Sequence, residues 1–264
     1  MDKCLTHFYR YRKLSGEFSE YVERTVCHNE LYFPKPSSFN DPFDCRPSFS
    51  FEASNEEKAT YYKDRSKKQL PNLNREQRRR EAMNTLNDWE TPEAQKRIQD
   101  SLTELITEHV GVLCLSARKD DILMWSHYAD SHRGLCLEFD GYFEFFARAQ
   151  EVNYPETDVR PQINPYRDSP DQMVDKAVLT KASHWKYEEE WRILEHVNGP
   201  GVYRYPPEAL TGIILGAQIP PQAVAKVLGW IEERGHSIKL YRASPNPTKL
   251  SLIVDEVSIS QFKT

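Results

Sequence analysis

The chain is 264 residues long, 39% hydrophobic and 12% aromatic, enough to bury a sizeable core, which excludes a wholly disordered protein. Its formal charge of −5 argues against a nucleic-acid footprint spread over the whole chain. The five cysteines are scattered with no Cys-x-x-Cys pair, which argues against a zinc knuckle or a secreted disulfide framework, and no apolar run approaches the roughly 18 residues of a membrane span.

Residues 1–12 lack the apolar core of a signal peptide, so a reducing, cytoplasmic location is expected. Residues 6–14 read as a first strand with alternating aromatic and basic side chains. Ser15 then reads as the cap of a helix whose buried face carries Phe18, Tyr21, Val22 and Val26. Residues 31–33 form a short strand stopped by Pro34, and a proline-rich loop through residue 47 follows, with Asn40, Asp41 and Asp44 favouring turns. Residues 53–108 are charged and poor in glycine. From Lys58 to Arg80 there are nine Lys or Arg against two Asp or Glu. Ile98, Leu102, Leu105 and Ile106 keep helical spacing, so this stretch reads as a helical insertion with a solvated outer face.

Residues 110–116 read as a buried strand that makes Cys114 a small core residue. A helix behind Asp120 and Asp121 carries Ile122, Leu123, Trp125, Tyr128 and Ala129, and a second buried strand over 134–139 contains Cys136. A helix with Met173, Val174, Ala177 and Val178 follows a proline-rich loop. Strands are expected at 191–194, 212–215, 238–242 and 250–257, with a helix opened by Pro221 carrying Val224, Val227, Leu228 and Ile231. The order is neither strict strand–helix alternation nor all strand. It reads as one α+β domain over 1–264, with 53–108 inserted.

Three clusters combine polar groups with aromatics. In the first strand, alternation sets Tyr9 and Tyr11 on one face and Arg10 and Arg12 on the other. Arginine clamps phosphate and tyrosine stacks on flat rings; the plainer reading is an edge strand with solvated arginines. In the second cluster, His127 beside Trp125 and Tyr128 is a base, a phosphate contact or a ring-orienting donor, or else an ordinary satisfied histidine. His127 and His132 are five apart, a poor metal spacing on a helix, and no metal site is expected. In the third, period two sets Glu188, Glu190 and Arg192 on one face, with the carboxylates about 6–7 Å apart. Such a pair raises one carboxyl's pKa and suits a ribose diol or acid–base work. The plainer reading is a solvent-facing acidic turn paired with Lys186 and Arg192. No phosphate-binding glycine loop and no Gly-x-Ser-x-Gly elbow is present.

The run Leu-Tyr-Phe-Pro-Lys-Pro-Ser-Ser-Phe-Asn-Asp-Pro-Phe-Asp at 31–44 resembles the bacterial domain of unknown function 2971 family. The match continues through Leu-Met-Trp-Ser-His-Tyr-Ala at 123–129, then His132, Gly134 and Leu137-Glu138-Phe139, and through Trp185-Lys186-Tyr187-Glu188 and Glu190-Trp191-Arg192-Ile193. A weaker resemblance is to the ADP-ribosyltransferase superfamily, with Tyr9 or Arg10 on the first strand, Tyr32 and Phe33 with the loop through Asp44, and Glu190 opening a later strand.

That second resemblance implies a split β-sheet core and NAD as substrate. Glu190 would be catalytic, with Glu188 and His127 beside it. Tyr9 or Tyr32 would stack on nicotinamide, Arg10 or Arg12 would hold the pyrophosphate, and Phe33, Asn40, Asp41 and Tyr128 would complete the pocket. A toxin or phage-defence effector is the role it implies, with a protein or nucleic-acid acceptor near the basic insertion. The alternatives are a non-catalytic ligand-sensing or protein-interaction module, and a nucleic-acid binder or nuclease using residues 58–80.

Overall fold

The computed structural model describes residues 5–81, 90–157 and 159–262. Cys4 and residues 82–89 of the expected insertion lie outside them. Twelve strands occur among the described residues: β1 (His7–Arg12), β2 (Glu30–Phe33), β3 (Ser48–Phe49), β4 (Gly111–Ser116), β5 (Leu135–Asp140), β6 (Gln150–Glu151), β7 (Gln162–Ile163), β8 (Glu190–Glu195), β9 (Gly201–Arg204), β10 (Leu210–Leu215), β11 (Lys239–Pro245) and β12 (Leu252–Glu256). The chain divides into two compact units. One comprises Met1–Lys35, Gly111–Val152 and His184–Thr264, and the other Pro36–Val110 and Asn153–Ser183.

The first unit is built on one eight-stranded sheet in the order β12-β11-β10-β5-β1-β4-β8-β6. Only β10 and β11 pair in parallel; the other neighbours are antiparallel. The architecture is therefore α+β with a large mixed sheet. Alternation along each strand gives the sheet two faces, and helices cover both. On the first face Phe8, Leu113, Leu115, Leu135, Leu137, Phe139, Trp191, Ile193, Ile213 and Leu215 pack under the helices Phe18–His28 and Pro221–Arg234. The β2–β9 ribbon adds Leu31 and Phe33 to this core. On the second face the short helix Ile122–Tyr128 lays Met124 and Trp125 over Tyr11, Cys136, Ile214 and Ala243. Asp121 caps that helix, accepting from the backbone N–H groups of Leu123 and Met124 at 2.9 and 3.0 Å.

Several expectations need correction. The first helix starts at Phe18 after Glu17, without a side-chain cap, so Ser15 is not its cap. Its buried face is Ser19, Val22, Thr25 and Val26, whereas Tyr21 is exposed. Leu105 is exposed while its neighbour Ile106 is buried. Cys136 is fully buried but Cys114 is only partly so.

After the Trp125 helix the chain turns through three consecutive left-handed residues, Asp130, Ser131 and His132, with φ of 50°, 52° and 67°. Such a run is costly for side-chain-bearing residues and persists only where neighbours hold it. Here the His132 carbonyl accepts from the Gln218 N–H at 3.0 Å, and Gly216 lies so close that a Cβ there would stand 2.2 Å from the same carbonyl oxygen.

The second unit carries the helices Asn55–Gln69, Pro92–His109 and Pro170–Val178 and a two-residue parallel pairing of β3 with β7. Ser54 opens the first helix with a capping box through Glu57, and Glu57 in turn pairs with Arg167 at 2.8 Å. Tyr61, Tyr62 and Tyr166 form an edge-to-face cluster at its centre. Lys58 pairs with Glu90 and Lys67 with Asp64, the latter on the exposed helix surface.

Candidate functional site

The second face of the sheet carries a line of polar side chains contributed by four adjacent strands. Glu138 of β5 stands opposite Tyr9 of β1, Tyr9 opposite Ser116 of β4, and Ser116 opposite Glu190 of β8. Directly opposed residues share a face, and each strand step is about 4.8 Å, so Tyr9 and Glu190 are about 10 Å apart across the sheet.

At one end of this line Glu190 is 4% exposed and meets Arg192, which is fully buried. Nε of Arg192 donates to Oε1 at 2.8 Å and Nη2 donates to Oε2 at 2.9 Å. This is a side-on, bidentate ion pair, the geometry that best offsets the loss of hydration. Period two along β8 brings these two residues together, as the spacing predicts.

Glu188 behaves differently. It ends the 3-10 turn Ser183–Glu188, and Glu189 at φ 41° reverses the chain before β8 begins. Glu188 is thus not part of the strand that carries Glu190. Glu188 is buried, its Oε1 accepts from the Tyr128 hydroxyl at 2.7 Å, and its carbonyl accepts from the Ser116 hydroxyl at 2.6 Å.

The other end gathers Glu138 with two tyrosines and a lysine. Glu138 is 5% exposed, and its Oε1 accepts from the Thr211 hydroxyl at 3.1 Å. Burial first, then the Glu138 charge, push the Tyr9 phenol well above its ordinary pKa. Tyr241 is raised by the same two causes in the same order. The ammonium of Lys119 lies 5.9 Å from the Tyr9 ring centre and 5.4 Å from that of Tyr241, bridging the two as a cation–π contact. Its loop is held from below: the Trp125 indole N–H donates to the Lys119 carbonyl at 2.9 Å and the Tyr11 hydroxyl donates to the Arg118 carbonyl at 2.8 Å.

Gly212 lies against both Tyr241 and Glu138. A Cβ there would stand 2.9 Å from the Tyr241 ring and 3.0 Å from Oε1 of Glu138. Gly212→Ala is therefore expected to displace both side chains and cost about 1–3 kcal/mol as overpacking. A thermal melt reads this directly, and an unchanged midpoint would show that the two side chains give way freely.

The structure brings together Tyr9, Tyr128, Glu188 and Glu190 on the second face. His127 lies on the exposed side of the short helix, its ring 6.3 Å from those of Tyr128 and Tyr187. The remaining first-unit residues are elsewhere. Arg10 and Arg12 alternate with Tyr9 and so project onto the first face. Arg10 is 6% exposed rather than solvated, because β1 is a central strand covered on both sides, not an edge. Its Nη2 donates to the Tyr32 carbonyl at 3.2 Å. Phe33 is a core residue with its ring 4.8 Å from that of Tyr203, and the Tyr32 side chain is exposed. Asn40 and Asp41 belong to the second unit, where Asp41 accepts from the Phe43 N–H at 2.8 Å in a local turn.

Sequence reasoning missed Glu138, Lys119, Tyr241 and Gly212 as site residues. Glu138 did leave a signal, since it is the one charged residue inside the apolar run Leu135-Cys136-Leu137-Glu138-Phe139. Lys119, in a loop between a strand and a helix, left none.

Among the described residues no helix is long and apolar enough to cross a membrane, and no group of three or more His, Cys, Asp or Glu is placed to hold a metal ion. Residues 124–193 match the family described as Protein of unknown function (DUF2971), a stretch that includes Trp125, Tyr128, Glu138, Glu188, Glu190 and Arg192. No curated protein and no solved structure matches the chain. The stretch that resembles the DUF2971 family thus runs from the tryptophan-bearing helix to the strand of the buried ion pair.

Proposed function

We propose that the second face of the sheet binds a nucleotide with a flat ring, with NAD as the leading candidate, and cleaves the bond between its nicotinamide and ribose. The observation that carries this reading is the Glu138–Tyr9–Ser116–Glu190 line, which aligns aromatic and acidic groups on one face of one unit. Tyr9 and Tyr241 supply stacking surface, and Lys119 supplies the positive charge for a phosphate. Lys119 replaces Arg10 and Arg12 in that role, since those two project onto the other face. The ADP-ribosyltransferase resemblance is what points to the reaction.

In that chemistry the C–N bond breaks with its electron pair leaving on nicotinamide. The ribosyl carbon becomes positive and takes water, which gives up a proton, or another nucleophile. Glu190 would stabilise the positive carbon and orient the ribose 2′-hydroxyl. Glu190→Gln is expected to slow nicotinamide release by roughly 10²–10³-fold. Chromatography of NAD incubated with each protein tests this, and equal turnover by the two would remove Glu190 from the mechanism.

One observation favours a second reading, a ligand-sensing module without catalysis. Arg192 donates to both oxygens of Glu190, the bonding pattern of a structural ion pair. A protein that NAD stabilises against heat without releasing nicotinamide would select that reading. Neither stabilisation nor release would overturn both.

A further inference from the structure

We infer that Arg10 and Arg12 form a second site, for a phosphate-type oxyanion, on the first face of the sheet. Arg10 is 6% exposed. Its one hydrogen bond to a described residue runs from Nη2 to the Tyr32 carbonyl, and Nη1 is buried with no partner. Arg12 stands two positions further along the same face and is half-buried. Among the described residues no carboxylate acts on either guanidinium: burial is the first influence on both, and each lies within electrostatic reach of Cys114, with Arg12 also repelling Arg10. Their neighbours across the strand pair are Leu137 and Leu135.

This arrangement is costly as it stands. A charge removed from water needs a counter-charge or a full set of hydrogen bonds, and two like charges side by side need it more. Burial lowers both guanidinium pKa values, Arg12 to about 10, and an arginine side chain keeps its proton in proteins. The unit's other buried arginines are provided for. Arg192 has Glu190, and Arg234 donates to the carbonyls of Val26 and Pro207 and to the Asn29 side chain, leaving only its Nε without a partner. Arg10 and Arg12 differ in having two charges and one protein acceptor.

A phosphate dianion fits that deficit. It answers both charges with one group, and its oxygens match the planar donor fork of guanidinium. Access is from the Arg12 end, the less buried of the two. The source is either free inorganic phosphate or the phosphate of a nucleotide. The site stands independently of the nucleotide reading above, because the sheet itself separates the two.

The test is the melting temperature of the whole chain, titrated with inorganic phosphate against sodium chloride of equal ionic strength, with AMP in a parallel arm. Saturating phosphate is expected to raise the midpoint by a few degrees beyond chloride. Arg10→Met should abolish that rise and increase the phosphate-free midpoint, since it removes an unpaired buried charge. AMP acting at tenfold lower concentration than phosphate would identify a nucleotide as the source; equal or weaker action would identify the free ion. Should Arg10→Met not fold, Arg12→Met at the rim decides, with an expected loss of at least tenfold in phosphate affinity. A phosphate effect no larger than that of chloride, or one that survives in the variants, overturns the inference.

Discussion

Arg192→Met is expected to destabilise the protein by about 3–5 kcal/mol, because it removes the guanidinium that donates to both oxygens of the buried Glu190 carboxylate. Trp191 and Ile193, which alternate with the pair along the same strand, anchor β8 in the core of the opposite face. In a chain of this size the loss corresponds to a melting temperature lower by on the order of 10 °C. Replacing both partners, as Glu190→Leu with Arg192→Met, should recover most of that, since an apolar pair of similar bulk needs no counter-charge. The double-mutant cycle separates the interaction from the burial. A single Arg192→Met variant within 1 kcal/mol of the parent would show that the ion pair is open to water.

Trp125→Ala should cost about 3–5 kcal/mol, the ordinary range for removing a fully buried indole. The consequence reaches beyond packing. The Trp125 ring meets Tyr11 edge-on at 5.2 Å, and its N–H holds the Lys119 carbonyl. Losing it should loosen the loop that bridges Tyr9 and Tyr241. Trp125→Phe separates the two contributions: it keeps most of the ring contact and loses one hydrogen bond, for about 1 kcal/mol. Denaturant midpoints measure the energies, and limited proteolysis between residues 117 and 121 measures the loop. Faster cleavage there in the alanine variant than in the phenylalanine variant is the expected order. Equal cleavage would show that the loop is held by other contacts.

The elements legible in the sequence were those whose burial leaves a pattern. β5 and β10 are mostly apolar runs, and the helix Pro221–Arg234 announces itself with proline at its start and one apolar face. β3, β6 and β7 are two-residue pairings, and β9 alternates only weakly, so none carries a period long enough to read. The candidate site was legible by residue but not by place. Alternation correctly separated Tyr9 from Arg10, yet which face is the polar one depends on strand order, and strand order joins segments far apart in the chain. Glu188 escaped its expected position through a single backbone dihedral at Glu189, which no composition or spacing encodes.

The place of β1 in the sheet has a consequence for how the molecule assembles. It is the first strand described, yet both of its neighbours lie more than a hundred residues further along, so it waits unpaired until about half of these residues have been made. Four strands on one side and three on the other are joined only through it. Closure of those long loops makes a slow folding step. It also makes the N-terminal dozen residues a keystone, since deleting them would leave two half-sheets with bare edges rather than a smaller version of the same protein.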